Sequence, residues 1–305
     1  MNFVLASRAS ALARWQAETA AQSLRACWKD LEPDFLWVTS KGDADQQSEL
    51  ARFGRIGIFT VEVDRAVMEG RAQVAVHSLK DMTTTLHEGV MLSAVLGRAP
   101  VEDALITREG ATLDELPVGA RIATGSLRRK AMLLAQRPDL EVCEIRGNVD
   151  TRLAKLEAGE ADGILLARAG LERLGLAGHI TEILDTQRFL PAVGQGIVGL
   201  TCRHGDWDNH EKVQAIRDYE AWDEALAERA LLRTLRGGCN VPAGAHAVAV
   251  EGQLRLRARV LSLDGREVVE GELVGPRKDA EALGRTLGAE LLGQGAQALI
   301  DAARA

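Results

Sequence analysis

The sequence predicts an α/β protein in which two domains with mostly parallel central sheets precede a small C-terminal α+β domain. Three observations lead there. Short apolar, β-branched runs alternate with helical segments over residues 3–174, the pattern of a parallel sheet flanked by helices. Two stretches, 97–102 with Pro100 and 190–196 with Pro191, Gly194 and Gly196, break that alternation. They read as crossings of a chain that leaves a first domain, builds a second and returns. At 305 residues the chain is also longer than one core usually supports.

Taken in order, residues 3–6 form the first expected strand. Ser10 is placed to cap a helix running to about residue 28, with Leu12, Trp15, Thr19 and Leu24 near one face. Residues 35–39 read as a second strand, and the polar, glycine-bearing stretch 41–57 as a mobile loop. A helix over 60–69, stopped by Gly70, leads into a strand that begins at Val74. Apolar runs at 91–96 and 104–107 flank the first crossing. Strands at 121–124, 140–145 and 163–166 alternate with helices at 126–137, 148–158 and 169–174. After the second crossing come a helix over 221–236 and strand-like runs at 245–250, 253–262 and 267–274. A long helix from about residue 279 closes the chain, with Leu283, Leu287 and Leu291 at i, i+4 spacing.

Composition excludes several classes of function. The net charge of −7 argues against a general nucleic-acid binder, which would carry a basic footprint. No run approaches the roughly 18 apolar residues of a membrane span. The first eight residues lack the apolar core of a signal peptide. Cys27, Cys143, Cys202 and Cys239 form no CxxC, so neither a metal site nor a disulfide framework is indicated. A cytoplasmic protein with free thiols is expected.

The chemistry is concentrated at strand ends. Val74-Ala75-Val76-His77-Ser78-Leu79-Lys80-Asp81 starts apolar and ends abruptly polar, and in an open α/β sheet strand ends are where loops converge on a ligand. Taken singly, Lys80-Asp81 is a solvated pair in a turn. The pattern recurs, however. Thr124-Gly125-Ser126-Leu127-Arg128-Arg129 sets two arginines at the positive end of a helix dipole, where each is unfavourable by a few tenths to about 1 kcal/mol. On that reading, removing either arginine leaves the chain no less stable. An anionic ligand reverses the sign, because free N–H groups and guanidiniums then act together. Arg8 with Ser10, and Arg146-Gly147-Asn148 with Arg152, repeat the layout. Arg173 falls late in a helix, where the dipole favours a cation anyway. With Lys80, these residues predict a cleft for a polyanion, a polycarboxylate above all.

Cys239 admits two readings. Free cysteines are most often small buried hydrophobes. Gly237, Gly238, Asn240 and Pro242 point instead to an exposed loop, and Arg236 would favour a thiolate nucleophile.

Five motifs now stand in one order: Val76-His77-Ser78-Leu79-Lys80-Asp81, Gly125-Ser126-Leu127-Arg128-Arg129, Ile145-Arg146-Gly147-Asn148-Val149 with Arg152, the stretch 190–196, and Gly237-Gly238-Cys239 with Val241-Pro242. Through them the chain resembles the porphobilinogen deaminase (hydroxymethylbilane synthase) family over essentially its whole length. The resemblance implies three domains, 1–98 with 196–216, 102–190, and 219–305, the first two built like periplasmic binding proteins. It implies a dipyrromethane cofactor joined by thioether to Cys239. It also implies an enzyme of tetrapyrrole and heme biosynthesis that condenses four porphobilinogen molecules head to tail into hydroxymethylbilane, releasing ammonia each time. Pyrrole acetates and propionates would be the polyanion.

By position, Asp81 matches the family's catalytic carboxylate, which holds pyrrole N–H groups and stabilises a cationic azafulvene. Lys80, Thr124, Ser126, Arg128 and Arg129 match cofactor-binding residues. Arg8, Ser10, Ser78, Arg146, Arg152, Arg173 and Gln195 match residues that hold substrate. A monomer with no nucleic-acid or membrane partner is expected. Five positions depart from the family's pattern. Ile56 replaces a lysine, Met82-Thr83 replaces Val-Pro and implies a looser turn after Asp81, Arg168 replaces an apolar residue, and Arg236 replaces a glutamate. Two rivals remain on architecture alone. A polycarboxylate receptor would need neither Asp81 nor Cys239. An enzyme using Lys80 as a Schiff-base amine would be hindered by Asp81, which keeps the amine charged.

Overall fold

Residues 2–39, 60–237 and 241–304 are described by a computed structural model of the chain. The expectations for 41–57, Ile56 included, and for Gly238, Cys239 and Asn240 lie outside the described residues.

The chain opens with β1 (Asn2–Arg8), α1 (Ala11–Cys27), β2 (Glu32–Val38), α2 (Val61–Met68) and β3 (Val74–Ser78). A single 3-10 turn, Leu79–Asp81, precedes β4 (Val90–Val95). Past the first crossing come β5 (Asp103–Thr107), β6 (Arg121–Ala123), α3 (Leu127–Gln136), β7 (Glu141–Cys143), α4 (Val149–Glu157), β8 (Gly163–Ala167), α5 (Arg168–Arg173) and β9 (Glu182–Ile183). Past the second come β10 (Val198–Arg203) and α6 (Trp207–Gln214). The C-terminal part holds α7 (Tyr219–Thr234), β11 (Ala243–Val250), β12 (Gln253–Leu261), β13 (Val268–Pro276), α8 (Ala280–Leu291) and α9 (Gln297–Ala302).

Two units separate: Met1–Ala99 with Gly196–Trp222, and Pro100–Gln195 with Asp223–Ala305. The first holds one sheet, ordered β2-β1-β3-β10-β4. The second holds two, β7-β6-β8-β5-β9 and β11-β12-β13. In each large sheet the helix-linked strands are parallel, as the alternation predicts, but one strand runs against its neighbours. β10 is antiparallel to β3 and β4, and β5 is antiparallel to β8 and β9. Both are the first strand after a crossing, so no βαβ connection constrains their direction.

Apolar strands bury both faces of the large sheets, as parallel sheets require. In the first unit Phe3, Leu5, Val74 and Val76 meet Ala17, Ala20 and Leu24 of α1. Ala6 and Ala75, on the opposite face, meet Val63, Ala66 and Val67 of α2. The contact face of α1 is Ala13, Gln16, Ala17, Ala20, Ala21 and Leu24. This corrects the expected face, since Leu12, Trp15 and Thr19 are half-buried at its edge. Small alanines let the helix lie close on the sheet, and hydrophobicity alone points to the bulkier flank.

Three elements, β9, β10 and α6, escaped the sequence reading. β10 begins two residues past the second crossing and merges with its apolar residues, and α6 (Trp-Asp-Asn-His-Glu-Lys-Val-Gln) buries only Val213 and so lacks a helical stripe. In the C-terminal sheet Leu254, Leu256, Ala258 and Val260 of β12 face Leu231, Leu287 and Leu291. The alternate residues Arg257 and Arg259 pair across the strands with Glu272 at 3.3 Å and Glu270 at 2.6 Å. The closing helix is not continuous: Gly295, at φ 105°, separates α8 from α9.

Both large sheets reverse their winding beside their first helix-linked strand. β1 leads to β2 on one side and β3 on the other, and β6 leads likewise to β7 and β8. Such switch points leave a crevice at the carboxyl ends of the strands, where ligands bind.

Candidate active site

In the first unit four residues read from the sequence meet at the β1/β3 switch point. Arg8 ends β1, Ser10 precedes α1, Ser78 ends β3, and Asp81 closes the 3-10 turn beyond it. Because β1 and β3 are paired neighbours, all four line one open pocket with Gln16, Thr60 and His77. Ser10 occupies the N-cap position, but its hydroxyl makes no capping bond, so the helix does not consume it.

The turn that presents Asp81 is anchored by backbone and core. Leu79 is buried and donates its N–H to Ile197 O at 3.0 Å, and Met82 N–H closes the turn on Leu79 O at 3.1 Å. Met82 is itself buried. Lys80 and Asp81 are half-buried beside it.

The sequence reading gave no role to three polar residues of this pocket, Gln16, Thr60 and His77. Gln16 is buried and donates from Nε2 to Ser78 Oγ at 2.8 Å, fixing that hydroxyl. His77 Nε2 lies 2.9 Å from Asp64 Oδ1, which also accepts Thr201 Oγ1–H at 2.8 Å. A glutamine on the inner face of α1 was the available signal, and it was missed with that face.

In the second unit the helix-start arginines are buried, 4% exposed for Arg128 and 6% for Arg129. Both close on Asp103, the fully buried first residue of β5. Arg128 donates from Nη1 to Asp103 Oδ2 at 2.7 Å and from Nη2 to Oδ1 at 3.2 Å. Arg129 donates from Nε and Nη2 to Oδ1 at 3.0 and 2.8 Å. Nη1 of each arginine reaches a carbonyl, Leu190 O at 2.7 Å and Leu165 O at 2.9 Å respectively. Burial alone would raise the Asp103 pKa. The two guanidiniums outweigh it and hold the carboxyl well below the usual carboxylate range.

This geometry overturns the expectation that either arginine can be removed without loss of stability. The dipole term is at most about 1 kcal/mol, whereas breaking a buried ion pair costs about 3–5 kcal/mol by leaving an uncompensated charge. Arg128→Leu is therefore expected to lower unfolding free energy by about 3 kcal/mol or more, read from its denaturant midpoint. Because the folded pKa of Asp103 is depressed, its contribution is complete at neutral pH. It is lost only as pH falls below the unfolded value of about 4.

Two guanidiniums against one carboxylate leave an excess positive charge in this buried cluster. Among the described residues, Arg128 Nε is buried without a hydrogen-bond partner. An anionic group would complete both. Around it, Ser126 Oγ accepts from Arg129 N–H at 3.4 Å, and buried Thr124 Oγ1 accepts from Ser126 N–H at 3.2 Å. Gln195 is also buried, and its Nε2 donates to Val101 O at 2.7 Å and Asp103 Oδ1 at 3.0 Å. The sequence reading gave Gln195 to substrate, and in the fold its Nε2 is engaged inside the protein.

Arg146 follows β7, Arg152 lies on α4 and Arg173 ends α5, all in this unit. Arg146 bonds Glu144 at 2.7 Å, and Arg152 Nε donates to Gly147 O at 2.9 Å. Gly147 has φ 112°, and a Cβ there would lie 2.6 Å from Thr151 Cγ2, so only glycine admits this turn. Asn148 then caps α4 by accepting Thr151 N–H at 2.9 Å. Arg173 ends α5 half-buried, its pKa lowered by burial. Arg168 joins Glu102 at 3.4 Å and Glu172 at 2.6 Å. Arg236 takes φ 49° just past α7, the left-handed position glycine usually fills, while Gly237 N–H bonds back to Leu232 O. Cys239 lies outside the described residues. Of the other cysteines, Cys27 is exposed, Cys143 half-buried and Cys202 buried, with its thiol pushed up to about 11 by burial.

Comparison with known proteins covers both units. Residues 3–211 match the family model described as porphobilinogen deaminase, dipyromethane cofactor binding domain, and residues 222–293 match the porphobilinogen deaminase C-terminal domain. A curated porphobilinogen deaminase of Syntrophotalea carbinolica is 42% identical over 298 residues, covering 98% of this chain and 95% of that protein. Solved structures similar in fold include the periplasmic VFT2 domain of Bordetella pertussis BvgS, at 15% identity and TM-score 0.44, over 70% of this chain and 86% of that one. Another is described as a putative sulfonate-binding protein SsuA from Methylobacillus flagellatus, at 16% identity and TM-score 0.40, over 77% and 68%. Likeness at that level says nothing about chemistry.

Proposed function

This chain belongs to the porphobilinogen deaminase family, and we propose that Asp81 is its catalytic carboxylate. The enzyme is a hydroxymethylbilane synthase of tetrapyrrole and heme biosynthesis. It condenses four porphobilinogen molecules head to tail with release of ammonia, and it uses a dipyrromethane cofactor.

One observation carries the assignment of Asp81: it shares a single pocket at the β1/β3 switch point with Arg8, Ser10 and Ser78. A cation for a pyrrole's acetate or propionate and a carboxylate for its developing positive charge then line one pocket. Asp81 accepts the pyrrole N–H and opposes the cation left on the substrate when ammonia departs. It also assists proton transfer at that ring. Arg8 takes a substrate carboxylate, bidentately where the geometry allows. Ser10 and Ser78 supply hydroxyls, the second oriented by Gln16. A receptor for polycarboxylates would be weakened by a carboxylate in its pocket.

Bound, the dipyrromethane supplies the pyrrole carbon to which the first substrate is joined. The excess positive charge and open Nε of the Arg128–Arg129 cluster fit an anionic group of that kind. We assign its carboxylates to Arg128 and Arg129, with Thr124, Ser126 and Lys80, and its thioether to Cys239. Arg146, Arg152 and Arg173 remain for the carboxylates of the lengthening chain. The three-domain division, 1–98 with 196–216, 102–190 and 219–305, is supported by three separate sheets.

Ammonia release by Asp81→Asn tests the central assignment, and a near-normal rate would remove Asp81 from the mechanism. Arg8→Leu should raise KM for porphobilinogen by roughly 10- to 100-fold, the worth of one charge-assisted bond, with a smaller change in kcat. An unchanged KM would take Arg8 out of the pocket's function. We further propose a cytoplasmic monomer with no nucleic-acid partner. The net charge of −7 and a thiol that must stay free to form a thioether support this. Among the described residues no helix is long and apolar enough to cross a membrane. Sedimentation of the holoenzyme would test the monomer.

A further inference from the structure

Asp103 is a fully buried carboxylate with no part in the mechanism above. It stands at the start of β5, just past the first crossing. Its two oxygens collect four guanidinium contacts, from Nη1 and Nη2 of Arg128 and from Nε and Nη2 of Arg129. A fifth contact comes from Gln195 Nε2, on the second crossing, and that nitrogen also donates to Val101 O on the first. Arg128 Nη1 reaches the second crossing as well, at Leu190 O.

We propose that Asp103 is a positioning residue for the cofactor-binding arginines, with Gln195 as its brace. The inference rests on the reading of Arg128 and Arg129 as cofactor ligands. Asp103 occupies the Nη1/Nη2 end of the Arg128 guanidinium. The edge it leaves is Nε, buried and without a partner among the described residues, beside the second N–H of Nη2. Those two N–H groups form a fork that matches one carboxylate. Asp103 therefore decides which edge of Arg128 is offered to an anion. It also holds two like charges together that would repel across a low-dielectric interior without it. Both arginines reach the bound state with their side chains already ordered, so less freedom is lost on binding. Gln195 keeps Asp103 from turning toward either arginine alone.

The test is a double-variant cycle on cofactor uptake. Apo-protein of the wild type, Asp103→Asn, Arg128→Lys and the double variant is supplied with porphobilinogen, and the added mass is followed on denatured protein. Each single variant should load about 10- to 100-fold more slowly than wild type, and the double variant within about threefold of the worse single one, because both changes disable one fork. Losses that multiply would show that Asp103 acts apart from Arg128 and overturn the inference. So would Asp103→Asn loading normally beside an impaired Arg128→Lys, which leaves the cofactor reading intact. Arg128→Lys loading at the wild-type rate would overturn that reading, and this inference with it.

Should Asp103→Asn fail to fold, Gln195→Met enters the same cycle, since it removes the brace and keeps every charge. It should load roughly 3- to 10-fold more slowly and again combine with Arg128→Lys without multiplying. Multiplied losses, or none, would overturn the proposal.

Discussion

Asp81→Asn is expected to fold as the wild type does and to release ammonia at least about 100-fold more slowly, the usual loss when one preorganised group facing a transition-state charge is removed. Leu79, buried at 1% exposure, and the Met82 N–H to Leu79 O bond shape the 3-10 turn without the Asp81 carboxylate. The variant should therefore unfold at the wild-type denaturant concentration. Asparagine keeps the size and one acceptor, so porphobilinogen should still bind, with KM within a few-fold of wild type. The loss should fall on kcat. That pattern is the signature of an interaction made chiefly in the transition state. A raised KM with an unchanged kcat would make Asp81 a binding residue. Near-normal turnover would exclude it from the chemistry.

Cys239→Ser is expected to abolish both added mass and activity in a folded protein. A serine hydroxyl at its ordinary pKa is a far weaker nucleophile than a thiolate. The other cysteines serve as controls, and their surroundings separate them. Cys202 is buried, and its thiol, pushed up to about 11, is ionised in only about one molecule in ten thousand at neutral pH. Cys27→Ser, Cys143→Ser and Cys202→Ser should all keep the added mass, measured on denatured protein. Added mass on Cys239→Ser would move the anchor elsewhere.

Much of this architecture was legible in the residues because it is written locally. The crossings fell within 97–102 and 190–196, and the units divide at Ala99/Pro100 and Gln195/Gly196, because a crossing carries its own prolines and glycines. Helix starts at Ser126 and Asn148 were equally local, each being a cap that acts over three residues. The polar end of β3 marked a candidate site because the same change from apolar run to polar, cationic residues recurs at other strand ends. Where a local pattern was weak, the reading missed. The polar helix α6 has no stripe, and α1 meets its sheet through alanines rather than through its bulkier flank.

The sequence by itself determined which charged groups this protein carries and which helix and strand ends they occupy. The tertiary structure alone decided what those charges do. Arg128 and Arg129 at a helix start are unfavourable by the dipole rule, and their stabilising partner lies 25 residues away on another strand, with its brace 92 residues from it. No window of sequence contains that pairing, because it depends on β5 entering the second sheet beside β8. Nor does sequence say that the cluster is dry. The dipole term is at most about 1 kcal/mol at a wet surface, whereas a buried carboxylate between two guanidiniums costs about 3–5 kcal/mol to break. Burial reverses the sign of the argument, and burial is a property of the fold.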